Sequence, residues 1–140
     1  MKKCITSSGF TVGSSLINTP GYYVFIDSSA GDVDDTALLW SPILPSNTGH
    51  CLEWYYHMYG DDIGTLNVYV IPQGGSVDDY LPVWSTEGDK GNSWYIARAH
   101  VNHLATYHVV FEGILESGTE GDIAIDDVRV SDGACLAQGE

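Results

Sequence analysis

Cys51-Leu52-Glu53-Trp54-Tyr55-Tyr56-His57-Met58-Tyr59 sets Leu52, Trp54, Tyr56 and Met58 on one side and Glu53, Tyr55, His57 and Tyr59 on the other. This is the period of two of a strand with one face in a core and one in water. Gly60-Asp61-Asp62 reads as a turn, and Thr65 to Ile71 repeats the alternation with Leu66, Val68 and Val70 directed inward. The two strands are expected to pair as a hairpin.

Working outward, Tyr22 to Ile26 is a short apolar strand between Pro20-Gly21 and the turn formers Asp27 to Gly31, and Thr36 to Trp40 reads as its neighbour, ended by Pro42. Leu81 to Ser85 leads into the turn-rich Glu87 to Asn92, and further strands are expected at Trp94 to Val101, Tyr107 to Ile114 and Ile123 to Val130. The first twenty residues, rich in Ser, Thr and Gly, hold at most a weak edge strand. No stretch keeps a 3.6-residue apolar period, no repeat is visible and no linker divides the chain. The expected architecture is all-β, two antiparallel sheets packed face to face as one domain over residues 1–140.

Length and composition agree: 140 residues with 44% hydrophobic content can fill one core. Five Lys and Arg against nineteen Asp and Glu give a net charge of −14. That balance opposes binding along nucleic-acid phosphates or anionic lipid, which needs Lys and Arg to displace counterions. It permits a cation or a basic protein partner, and it also suits a surface kept soluble by self-repulsion. There is no run of about 18 apolar residues and no apolar signal core after Met1-Lys2-Lys3, so no direct membrane insertion is expected and any export signal lies outside this sequence.

Cys4, Cys51 and Cys135 lack the spacing of zinc or redox motifs, and one disulfide plus one leftover thiol is the simplest count. Cys51 begins the aromatic strand and Cys135 follows the last one, so both can lie near the same end of a sandwich; buried free thiols are the alternative. Asn-x-Ser/Thr sequons are absent.

Several spaced stretches together resemble the MAM family of meprins, neuropilins and receptor-type tyrosine phosphatases. They are Gly21-Tyr22-Tyr23, Ser41-Pro42, Cys51 through Gly60, Ile63-Gly64-Thr65-Leu66-Asn67-Val68-Tyr69, and Trp84-Ser85 leading to Gly88-Asp89-Lys90-Gly91-Asn92-Ser93-Trp94. Val109-Val110-Phe111-Glu112-Gly113, Gly121-Asp122-Ile123-Ala124-Ile125-Asp126-Asp127-Val128 and Cys135 complete the set. Residues 21–135 match strongly and residues 1–20 weakly. The resemblance implies a jelly-roll β-sandwich and a Cys51–Cys135 disulfide. It also implies an adhesion or protein-interaction role at the cell surface or in a secreted protein, with a homophilic partner, including a homo-oligomer, or a heterophilic one. The family's usual opening, a Cys-x-Phe-Glu strand with a second Cys and a Trp segment, is incomplete here. Cys4 is therefore expected to be unpaired within this chain, and a missing first strand would leave an open sheet edge.

No Gly-x-Ser-x-Gly or His-Glu-x-x-His is present, so no catalytic residue is assigned and no enzyme is expected. His100 and His103 lie on opposite sides of an extended strand, which is wrong for a shared metal, and His57 among aromatics reads as a hydrogen-bonded packing residue. Asp34-Asp35, Asp61-Asp62 and Asp78-Asp79 read as solvated turns. Asp126-Asp127 interrupts an apolar strand, so at least one carboxylate is expected to face inward. A structural Ca2+ held by Asp126, with Asp127, is one expectation; a carboxylate satisfied by backbone N–H groups or by Arg98 is its rival. Tyr55, Tyr59, Tyr69, Tyr80 and Trp84 raise an alternative function, a lectin-like carbohydrate-binding module with an exposed aromatic platform, although core packing is the expected use of most of them.

Overall fold

The computed structural model describes residues 5–6, 10–14, 22–27, 36–114, 116 and 122–135, with side chains described within 36–114, at 116 and within 123–135. The described residues form β1 (Ile5–Thr6), β2 (Phe10–Ser14), β3 (Tyr22–Asp27), β4 (Thr36–Trp40), β5 (His50–Tyr59), β6 (Thr65–Pro72), β7 (Trp84–Glu87), β8 (Trp94–Val101), β9 (Tyr107–Ile114) and β10 (Asp122–Asp132). One sheet runs β1-β4-β9-β6-β7 and the other β2-β3-β10-β5-β8, and all pairings are antiparallel. This is the expected jelly-roll sandwich, and the alternation along β5 holds: Leu52, Trp54 and Met58 are buried while Glu53, Tyr55, His57 and Tyr59 are not.

Two expected pairings are corrected. β5 pairs with β10 and β8, whereas β6 pairs with β9 and β7, so residues 60–64 cross from one sheet to the other and no hairpin forms. Likewise β3 pairs with β2 and β10 and β4 with β1 and β9; they are neighbours in sequence and lie in different sheets. The physical reason is shared. Alternation tells a strand which face to bury, and a core between two sheets accepts that face from either side. Gly64 makes the crossing close, because a Cβ there would collide with the carbonyl oxygen of Ile114.

The expectation for the opening segment is corrected as well. β1 pairs with β4 and β2 with β3, so the beginning of the chain adds a strand to each sheet and forms one edge of each, where at most one weak edge strand was expected.

The core lies between the sheets, with Leu39, Leu52, Trp54, Met58, Leu66, Val68, Val109, Phe111, Ile123 and Ile125 in one cluster. Trp54 is its centre, edge-on to Trp84 at 5.0 Å and to Phe111 at 5.5 Å. Its indole N–H finds no acceptor among the described residues, a cost of about 1–3 kcal/mol that burial of so large a ring offsets. At one end, Gly133 turns the chain back through a left-handed φ of 85° and its N–H donates to Gly49 O at 2.9 Å. That return brings Cys135 to Cys51, and the two form a disulfide with Cα atoms 4.7 Å apart across 84 positions of sequence. Closing so long a loop contributes roughly 4–5 kcal/mol in the chain-entropy account. Cys4 lies outside the described residues.

Candidate binding surface

Both sheets have an outer face, and each carries aromatic side chains. On the β1-β4-β9-β6-β7 sheet the face is closed by its own chain. β6 is central and apolar at both parities, and its outward Tyr69 and Ile71 pack with Val110 beneath Val77, a residue of the 3-10 turn Val77–Asp79. Leu38 and Trp40 pack against the same cluster, and the Trp40 ring meets His108 edge-on at 5.3 Å. Beside it Glu112 is buried, and its Oε1 accepts from Asn67 Nδ2 at 3.0 Å and from the Tyr69 hydroxyl at 2.8 Å. Burial, then the hydrogen bond to Glu112 and its negative charge, push the Tyr69 hydroxyl up to about 12.

Among the described residues, the outer face of β5 and β8 in the second sheet is partly exposed. The register sets Glu53 against Arg98, Tyr55 against Ile96 and His57 against Trp94. Tyr59 is 50% exposed, Trp94 44% and Ile96 37%. His57 Nε2 shares a 3.0 Å hydrogen bond with Asn92 Oδ1, which holds its ring 5.2 Å from Trp94 and 6.1 Å from Tyr59. The polar end of this ledge is the ion pair between Arg98 and Glu53, 2.7 Å apart and partly buried. β8 is one of the two edge strands of this sheet. A flat, partly ordered aromatic surface of this kind can stack a planar or cationic group.

Asp126 and Asp127 sit on the ledge's flank, in a place the expectation of an inward carboxylate did not foresee. Between Asp126, opposite Tyr55, and Arg129, opposite Glu53, the register shifts by a bulge. Asp127 there has a φ of 50°. The extra residue rephases the strand: Ile125 and Val128 pack on the core, Asp126 falls on the outer side with Tyr55, and both carboxylates are only half-buried. Asp126 Oδ1 accepts from the Asp127 N–H at 2.7 Å, and Asp127 pairs with Arg129 at 3.3 Å. Arg98, named as a rival partner, is engaged with Glu53. Among the described residues no three His, Cys, Asp or Glu side chains gather as a cation site.

The five aromatics named from sequence do not share a surface. Tyr55 and Tyr59 belong to the ledge, Tyr69 is buried on the opposite face, Tyr80 is in a loop, and Trp84 packs on Trp54 and Tyr56. The ledge is completed by Trp94 and Ile96, which sequence reasoning left out of the aromatic platform. Their signal was present: Trp94-Tyr95-Ile96 puts bulky groups on both parities of a strand, so one parity had to face outward. Glu112 was likewise missed, because one acid in an apolar run reads as an outward position. His100 is exposed in β8, and His103 accepts from the Ala105 N–H at 3.0 Å through Nδ1.

Comparison with known proteins places these features in a family. The family model "MAM domain, meprin/A5/mu" matches residues 5–136. The human MAM domain-containing glycosylphosphatidylinositol anchor protein 2 is 38% identical over 128 residues, covering 84% of this chain and 13% of that protein. The chain thus spans about an eighth of the length of that relative. Among solved structures, the K1 cleaved adhesin domain of Lys-gingipain from Porphyromonas gingivalis W83 aligns with a TM-score of 0.69 at 16% identity over 94% of this chain and 90% of that one. TmCBM61 in complex with beta-1,4-galactotriose aligns at 0.54 and 13% identity, covering 94% and 90%. At such identities these two likenesses speak for the fold alone.

Proposed function

This chain belongs to the MAM domain family, and from that premise we propose that it is a non-catalytic extracellular interaction domain that holds a protein partner, as one part of a larger cell-surface or secreted protein. The observation that carries this reading is the family match over residues 5–136. The long-range Cys51–Cys135 disulfide suits an oxidising compartment, and the open aromatic ledge on a rigid sandwich offers a place for a partner to sit.

The test is a binding screen of the purified chain against an array of extracellular domains, run beside a glycan array and sedimentation of the chain alone. Saturable binding to a protein, or reversible self-association, with a silent glycan array supports the reading. Glycan binding with neither kind of protein contact overturns it. It would favour the second reading, a carbohydrate-binding module, which the same ledge supports because pyranose rings stack on exposed Trp and Tyr.

A further inference from the structure

We propose that the open face formed by β8, β5 and β10 is the docking surface and that its occupant is an arginine- or lysine-bearing extended segment of a different protein; this rests on the protein-interaction reading above. Three observations converge on it.

The first is the surface itself. Tyr59, Trp94 and Ile96 are each more than a third exposed and stand on adjoining strands, with His57 fixed between Tyr59 and Trp94 by its bond to Asn92. The faces of Trp and Tyr attract guanidinium and ammonium groups through the ring quadrupole.

The second is the charge beside it. In the register of β10, Asp126 lies opposite Tyr55, on the outward parity of the sheet. Asp89, whose Oδ1 accepts from the N–H groups of Gly60 and Gly91, adds a second carboxylate at the Tyr59 end. Aromatic rings flanked by carboxylates complement a cationic side chain twice over, by stacking and by charge.

The third rules between a second copy and another protein. The chain carries −14, and its five cations are Lys2, Lys3, Lys90, Arg98 and Arg129. Arg98 and Arg129 are already engaged with Glu53 and Asp127, Lys90 adjoins the ledge carboxylate Asp89 in sequence, and Lys2 and Lys3 lie outside the described residues. Two copies approaching through this face would therefore bring acid to acid, which costs association unless salt screens it. A basic partner gains what a second copy loses.

The experiment titrates the 140-residue chain with an extended octapeptide of alternating arginine and threonine. The same peptide with glutamate for arginine and beta-1,4-galactotriose serve as comparison probes. Tryptophan fluorescence and calorimetry report binding at about 0.05 M and about 1 M salt, between which the screening length falls to about 3 Å. The arginine peptide is expected to bind saturably at low salt and weakly at high salt. Trp94→Ala and Tyr59→Ala are each expected to weaken it about 3- to 30-fold. Asp78→Asn with Asp79→Asn removes the same number of charges from the opposite face as two ledge carboxylates would carry, and is expected to change it less than about twofold. Thermal melting of every variant guards against loss of the fold.

Equal weakening by the Asp78/Asp79 pair and by the ledge variants shows nonspecific charge attraction and overturns the proposal. Galactotriose bound at the ledge with no arginine-peptide binding also overturns it. Self-association abolished by Trp94→Ala makes the occupant a second copy and overturns the heterophilic assignment. If the chain binds an extracellular protein with undiminished affinity after both ledge substitutions, the interaction reading stands and this surface is wrong.

Discussion

The two outer faces of the sandwich are built from similar residues and end in opposite states. On one, Tyr69 and Ile71 are covered by Val77 from the chain's own 3-10 turn, and a buried Glu112 takes both of its donors from the same sheet. On the other, Tyr59, Trp94 and Ile96 are each more than a third exposed, and the partly buried Arg98–Glu53 pair marks the polar end. Aromatic content therefore does not mark a binding surface. What distinguishes the faces is whether local chain returns to cover them, so residues on the first are expected to matter for stability and residues on the second for partners.

The largest expected effect breaks the sandwich that holds both faces apart. Replacing Cys51 and Cys135 together by Ser is expected to cost roughly 4–5 kcal/mol and to lower the melting temperature by about 10–20 °C, measured by calorimetry. A loss below about 1 kcal/mol would show that the register of β10 with β5 holds that end unaided.

Tyr69→Phe probes the covered face. It removes a donor from the buried Glu112 carboxylate and is expected to destabilise by about 1–3 kcal/mol in urea unfolding, whereas Tyr59→Phe on the open face is expected to change stability by less than about 0.5 kcal/mol. Tyr69 also has a pH signature. Its hydroxyl is raised from 10.0 to about 12 in the folded chain, so the folded state keeps a proton that the unfolded chain has released. The stabilisation is complete below pH 10 and is lost as pH rises through about 12. Alkaline stability should fall across that window in the natural sequence and fall less steeply in Tyr69→Phe; identical slopes would detach Tyr69 from Glu112.

Trp94→Ala gives up a ring that is more than half covered and in contact with His57, and is expected to cost about 1–2 kcal/mol in urea unfolding. A cost of several kcal/mol would mean that the ring is structural and that the open face is less open than its exposure indicates. The smallest expected effect concerns Asp126 and Asp127. Because one carboxylate accepts from the next N–H and the other pairs with Arg129, melting in excess chelator and in millimolar calcium is expected to agree within about 1 °C. A larger rise with calcium would restore a structural cation at the bulge.

Much of the fold was legible in residue order. The strands over Thr36–Trp40, Trp94–Val101 and Tyr107–Ile114 occur within the expected bounds, and those around Cys51, Thr65 and Ile123 differ only at their ends. The site was less so. Tyr55 and Tyr59 were named, but Tyr69 and Trp84 were grouped with them, because a period of two separates two faces of one strand and says nothing about which sheet that strand joins. The placement of Asp126 and Asp127 was not legible for a related reason: one bulged residue, with a left-handed φ at Asp127, shifts every following side chain to the other face.

Alternation, turn residues and the spaced family motifs determined by themselves that this chain makes an all-β sandwich of the MAM family, because burial of alternate side chains is a local demand met within each strand. Only the tertiary structure decided that β5 and β6 belong to opposite sheets, that Tyr69 is roofed while Trp94 stays partly exposed, and that Asp126 lies outward beside the ledge. Those outcomes depend on which distant segments share a sheet and which loop returns over it, and such choices are made by packing between parts of the chain far apart in sequence.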